Sequence, residues 1–129
     1  AGHATDRTLK ATLAKWSHVI AVDAHGIGLS AWRRHPRRMA ARARHFRADA
    51  LRARRAIAAQ SPSTPRGRRG KRLALAAFGD YAVVGREWAL SGQARVQRRT
   101  AAAVRHATSA RRFSRKANRA LNSASRLLR

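Results

Sequence analysis

The chain has 129 residues, with 30 Lys or Arg against 5 Asp or Glu and a formal net charge of +25; its length suits one domain around a single core, and its charge calls for a polyanionic partner. A hydrophobic fraction of 44% excludes a disordered basic tail, and the lack of Cys excludes disulfides, thiolate metal sites and a Cys nucleophile. The longest apolar stretch, Leu73 to Val84, is broken by Asp80 and falls well short of the roughly 20 residues a membrane-spanning helix needs.

Thr5 and Asp6 are good N-cap residues ahead of the series Leu9, Leu13, Trp16, Ile20, Asp23 and Ile27, whose steps of four and three trace one helix face. This predicts a first helix of about two dozen residues, weakened at its end by Gly26 and Gly28. A corner is expected near Trp32 to His35, because Pro36 belongs in the first turn of a second helix. That helix carries Met39, Ala43, Phe46, Ala50, Ala53 and Ile57 on one stripe and arginines over the rest. Ser61 to Gly70, rich in Ser, Pro, Gly and Arg, reads as a linker that no helix crosses. A third helix is expected from about Lys71, with the stripe Leu73, Ala77, Asp80, Val84 and Glu87 or Trp88, ending at a corner at Ser91 and Gly92. The fourth shows the stripe Val96, Thr100, Ala103, Ala107, Ala110, Phe113 or Ser114, Ala117, Ala120 or Leu121, Ala124 and Leu127 or Leu128, whose small residues permit close helix approach.

The predicted fold is therefore all-α, an antiparallel up-down four-helix bundle in one domain over residues 1–129, made of a hairpin at 5–60, a linker at 61–70 and a hairpin at 71–128. Shifting the first half by 57 positions lays Ile20 on Ala77, Ile27 on Val84 and Met39 on Val96, and aligns Asp23 with Asp80 and Gly28 with Gly85. This suggests two duplicated helical hairpins, although any two Ala- and Arg-rich amphipathic helices align in a similar way. The Pro-containing loop after the second helix, the Tyr-bearing third helix and the long Ala-spaced fourth, from Ser61 to Leu128, resemble small exported four-helix bundles of unknown function from high-GC bacteria. That resemblance implies a bundle fold and export, with no activity attached. The opening Ala-Gly-His, without Met, fits either export after signal-peptide removal or a trimmed chain, so the expected compartment is either the exterior or the cell interior beside nucleic acid.

Asp23, Asp80 and Glu87 fall on stripes that face the core, where a carboxylate needs a cation or a raised pKa. The ordinary outcome is an ion pair with Arg across the bundle that fixes helix register. A metal site built from these acids with His18, His25 or His106 is the sharper alternative, but there is no Glu-x-x-His pair, and no metal or other cofactor is expected. The six histidines, His3, His18, His25, His35, His45 and His106, are scattered singly and read as surface or interface residues. No G-x-S-x-G, Walker or G-x-G-x-x-G motif occurs, so no enzyme activity is expected.

Three basic clusters carry the functional signal. Arg33, Arg34, Arg37 and Arg38 surround the first corner beside Trp32, which either stacks on bases or plugs the end of the bundle. Arg66, Arg68, Arg69, Lys71 and Arg72 cluster around Gly67 and Gly70, a pattern suited to adaptable phosphate contact if the backbone is flexible. Arg95, Arg98, Arg99, Arg105, Arg111, Arg112, Arg115, Lys116, Arg119 and Arg126 wind around the fourth helix, and the 42 residues after Glu87 contain no acid at all. Solvated helix faces usually interleave Glu with Lys to gain i,i+4 pairs, so this acid-free field points to a polyanion. DNA or RNA, held by its phosphates without sequence specificity, is the favoured partner, and an anionic envelope polymer or lipid surface is the alternative.

Overall fold

The computed structural model describes the backbone of residues 2–129 and the side chains of residues 5–129, so the side chain of His3 lies outside the described residues. Four helices account for nearly all of it: α1 (Gly2–Trp32), α2 (Pro36–Ala58), α3 (Pro65–Val96) and α4 (Thr100–Leu127). Short corners turn each helix antiparallel to the one before, which gives the expected all-α up-down bundle. Packing runs from α1 to α2, from α2 to α3 and from α3 to α4, while α1 touches α3 only narrowly. The side between α1 and α4 remains a cleft.

The stripes read from the sequence are largely the buried faces of α1, α2 and α4, although Val96 and Thr100 are exposed and Trp16 and Asp23 are half-buried. Leu9, Leu13, Ile20 and Ile27 of α1, all six stripe residues of α2, and the alanines 103, 107, 110, 117 and 124 of α4 are buried. Fully burying a large side chain such as Phe46 or Phe78 contributes about 1.5–3 kcal/mol, and both ring systems also meet Tyr81, at centroid distances of 6.0 and 5.6 Å. The core is otherwise built of alanines, so its cohesion depends on backbones coming close. Gly85 and Gly92 allow this on α3: a Cβ at Gly85 would lie 2.7 Å from the Arg47 Cβ, and one at Gly92 would lie 2.7 Å from the Pro36 carbonyl oxygen.

Several element boundaries differ from the expectation. The first helix begins at Gly2, so Thr5 and Asp6 lie inside it instead of capping it. Asp6 accepts a hydrogen bond from the Thr64 hydroxyl and another from the Ser63 amide, which ties α1 to the loop before α3. Thr64 in turn accepts from the Gly67 amide and is the N-cap of α3, with Pro65 in the first turn. The predicted linker 61–70 is thus mostly helix, because Thr64-Pro65 is a start signal and glycine in a packed helix costs only about 1 kcal/mol. Ser91 and Gly92 form no corner either; they are buried inside α3, where the Ser91 hydroxyl donates to the Ala103 carbonyl at 2.8 Å. The turn comes at residues 97–99, and α4 begins at Thr100 rather than near Val96.

The two hairpin corners have the same hydrogen-bond pattern. Arg33 N–H reaches Leu29, Arg34 reaches Ala31 and His35 reaches Ser30, and 64 residues later Gln97 reaches Gln93, Arg98 reaches Arg95 and Arg99 reaches Ala94. Corner geometry therefore relates the halves by 64 positions, one heptad more than the 57 that aligns the stripes. Helix periodicity makes registers seven residues apart look alike in sequence. The residues matched at 57 differ accordingly: Gly85 is packed against α2, whereas a Cβ at Gly28 would meet nothing within 4 Å.

Candidate polyanion-binding interface

Antiparallel packing puts the α1–α2 corner and the α3–α4 corner at one end of the bundle. Arg33, Arg34, Arg37 and Arg38 from the first, and Arg95, Arg98 and Arg99 from the second, are all exposed there. Among the described residues none of the seven lies in an ion pair with a carboxylate. Between the corners is a depression of about 550 Å³ lined by Arg34, His35, Pro36, Arg37, Arg38, Arg95, Val96 and Arg98. Trp32 beside it is 81% exposed. It does not plug the bundle end, because its side chain is left largely in solvent.

The backbone at this end is unusual. Arg34 and Arg98 have φ values of 58° and 60°, the only non-glycine residues with positive φ among those described, and none of the described glycines has positive φ. A side chain in the left-handed region costs about 1 kcal/mol relative to glycine. The chain has eight glycines and places arginine at both left-handed corners. Strain of this kind gathers at working sites.

The second cluster is largely occupied by the fold itself. Arg66 donates to the carbonyls of Leu127 and Arg126 at the end of α4, at 2.8 and 3.4 Å. Lys71 donates to Ala58 and Gln60 at the end of α2, at 2.9 and 2.7 Å, and Arg68 donates to the Ser63 carbonyl at 2.8 Å. Arg66 and Lys71 thereby neutralise the C-termini of α4 and α2, where the orphan carbonyls and the dipole favour positive charge, while Arg68 holds the loop before α3. The flexible glycine setting expected from the sequence is absent: Gly67 and Gly70 are buried in α3, against Asp6 and Leu128. Arg69 and Arg72 remain exposed. On α4, Arg111 lies over the Trp88 ring at 5.3 Å, and Arg112 over Phe113 at 5.6 Å, while Arg115 is exposed.

The acids find histidine where arginine was expected. Glu87 is buried and its Oε2 lies 2.6 Å from His106 Nδ1 on α4, with Arg86 alongside at 3.4 Å. Asp23 lies 3.8 Å from His45 Nε2, and Asp49, one turn further along α2, lies 3.2 Å from the same nitrogen and 3.3 Å from Arg52. The second oxygen of Asp23 is buried without a hydrogen-bond partner. Burial pushes the Asp23 carboxyl up from 3.8 to about 6, reinforced by the Asp49 carboxylate and partly offset by His45. Asp80 is half-buried and forms no ion pair among the described residues.

Asp49 was not singled out from sequence, although its place three residues after Phe46 and four after His45 puts it at the edge of the α2 stripe. Donor atoms of Asp23, His45 and Asp49 lie within 4.8 Å of one another, the one grouping with metal-ligand spacing among the described residues. It is a different set from the one weighed above: His18 and His25 are exposed elsewhere on α1, and His106 is held by Glu87. No described helix is long and apolar enough to cross a membrane. No protein-family model, curated protein or solved structure matches the chain, so the functional reading rests on the chemistry of these surfaces.

Proposed function

We propose that this protein is a non-enzymatic helical bundle that binds nucleic acid through its phosphates, without reading sequence, at the end where the two arginine corners meet. The observation that carries the reading is the convergence of seven exposed arginines, none paired with an acid among the described residues, on two corners whose backbone is strained to hold Arg34 and Arg98. Guanidinium groups suit phosphate because their planar forks donate in pairs. Trp32, exposed beside them, offers a stacking face to an unpaired base. Nothing at this end resembles a helix shaped to enter a groove and read base edges, so contacts to the backbone supply the affinity.

The test is a salt titration of binding to labelled duplex and single-stranded oligonucleotides. Six or seven phosphate contacts give a slope of log K against log salt of about −5 to −6 on duplex. Replacing Arg34, Arg37, Arg95 and Arg98 together by Gln reduces that slope by about 3 to 4 in magnitude. A slope near zero, or one the fourfold variant leaves unchanged, overturns the proposal. An exposed Trp among arginines also suits the surface of an anionic bilayer or an anionic envelope polymer. Binding to anionic vesicles or to such a polymer, with none to nucleic acid, would assign this end to that partner instead.

A further inference from the structure

The open side of the bundle has its own chemistry. Between α1 and α4 lies a cavity of about 370 Å³ whose apolar wall includes Ile20, Ile27, Phe46, Tyr81 and Val84. On the α1 side the wall combines Ile20 and Ile27 with the small residues Ser17, Ala21, Ala24, Gly28 and Ala31, the small ones at steps of four and three, and it faces Ser114, Asn118 and Leu121 of α4. Ser17 to Ala31 spans about 21 Å at the helical rise of 1.5 Å per residue.

The cavity adjoins a charged one. Ala31 and Trp88 line both it and a second cleft of about 520 Å³, whose walls include Arg34, His35, Arg95 and Arg111. Arg111 lies over the Trp88 ring, so a guanidinium stands at the junction of the apolar and the charged space. The nearest acid in sequence, Glu87, is already held by His106 and Arg86. We propose that the two clefts form one binding site for a single-chain anionic amphiphile, with its alkyl chain between α1 and α4 and its carboxylate or phosphate among Arg34, Arg95 and Arg111. Ligand sites commonly combine an apolar enclosure of about 300–1,000 Å³ with a few convergent polar groups. A cationic amphiphile would meet three guanidinium groups at the head position, and a small anion alone would leave the apolar cavity unfilled.

The inference does not rest on nucleic-acid binding, although Arg34 and Arg95 are shared, so an amphiphile and a phosphate backbone should compete for them. The experiment is calorimetric titration of the full chain with dodecanoate and with dodecyl phosphate below their micellar concentrations, against dodecyltrimethylammonium and acetate. Saturable binding of one amphiphile per chain is expected, at least tenfold tighter for the anions than for dodecyltrimethylammonium, with no measurable acetate binding. Ala24→Trp and Ala21→Phe, both at exposed positions facing the cavity, should each weaken it tenfold or more while retaining helical circular dichroism and nucleic-acid affinity. Arg111→Gln should weaken the anions and leave dodecyltrimethylammonium unchanged. Equal affinity for either head charge, many unsaturable sites, or full affinity in folded Ala24→Trp and Ala21→Phe would overturn the proposal. It would also fall if the chain sediments as a dimer that Ala24→Trp dissociates and binds no amphiphile, because the cleft would then seat a second copy.

Discussion

Asp23 shows how one side chain can oppose the fold that surrounds it. Its carboxyl, raised by burial from 3.8 to about 6, binds a proton more readily in the folded than in the unfolded chain between those values. Folding is therefore favoured by this group below about pH 4, and the benefit is lost as pH rises through 6. Asp23→Asn, which keeps the shape and can donate to Asp49, should raise the melting temperature at pH 7.5, and the gain over the parent should vanish near pH 4. An unchanged melting temperature across this range would show that the Asp23 carboxylate is not penalised. The two glycines aligned by the 57-residue shift provide a second comparison at this scale. Gly28→Ala meets nothing within 4 Å and should stabilise by up to about 1 kcal/mol through helix propensity. Gly85→Ala must push Arg47 and the α2 backbone aside, at an expected cost of about 1–3 kcal/mol in denaturant melts.

At the scale of the helices, the same residue type serves two purposes that sequence does not separate. Lys71, Arg66 and Arg68 have their donors on main-chain carbonyls, two of them at helix ends, whereas Arg34 and Arg98 point to solvent from strained corners. Lys71→Ala should lower stability by about 1–2 kcal/mol, since charged hydrogen bonds to orphan carbonyls are lost, with little change in nucleic-acid affinity. Arg98→Gly should do the reverse. Glycine relieves the left-handed corner, so stability should hold or rise by about 0.5 kcal/mol, while the salt slope of binding falls by about 1. Parallel losses of stability and binding in both variants would mean that the two clusters do not differ in role.

For the whole molecule, amphipathic periodicity and punctuation were enough to determine the fold class, the helix count and most of the core. The α2 stripe from Met39 to Ile57 is buried in full, and Pro36 begins α2 as its fixed φ requires, because these signals are local. The acid-free cationic field was equally evident, since charge is a property of composition. Tertiary structure alone decided which cations converge. Antiparallel packing brings Arg34 and Arg98, 64 residues apart, to one end, while helix ends occupy Arg66 and Lys71 at contacts no linear pattern records. It also decided that Asp23 meets Asp49 and His45, and Glu87 meets His106, since partners across helices depend on register, which a heptad-periodic sequence leaves ambiguous by whole turns. The cleft between α1 and α4 belongs to the same class: small residues on α1 are visible in the sequence, but only the packing places them opposite Ser114, Asn118 and Leu121 of α4 across one cavity.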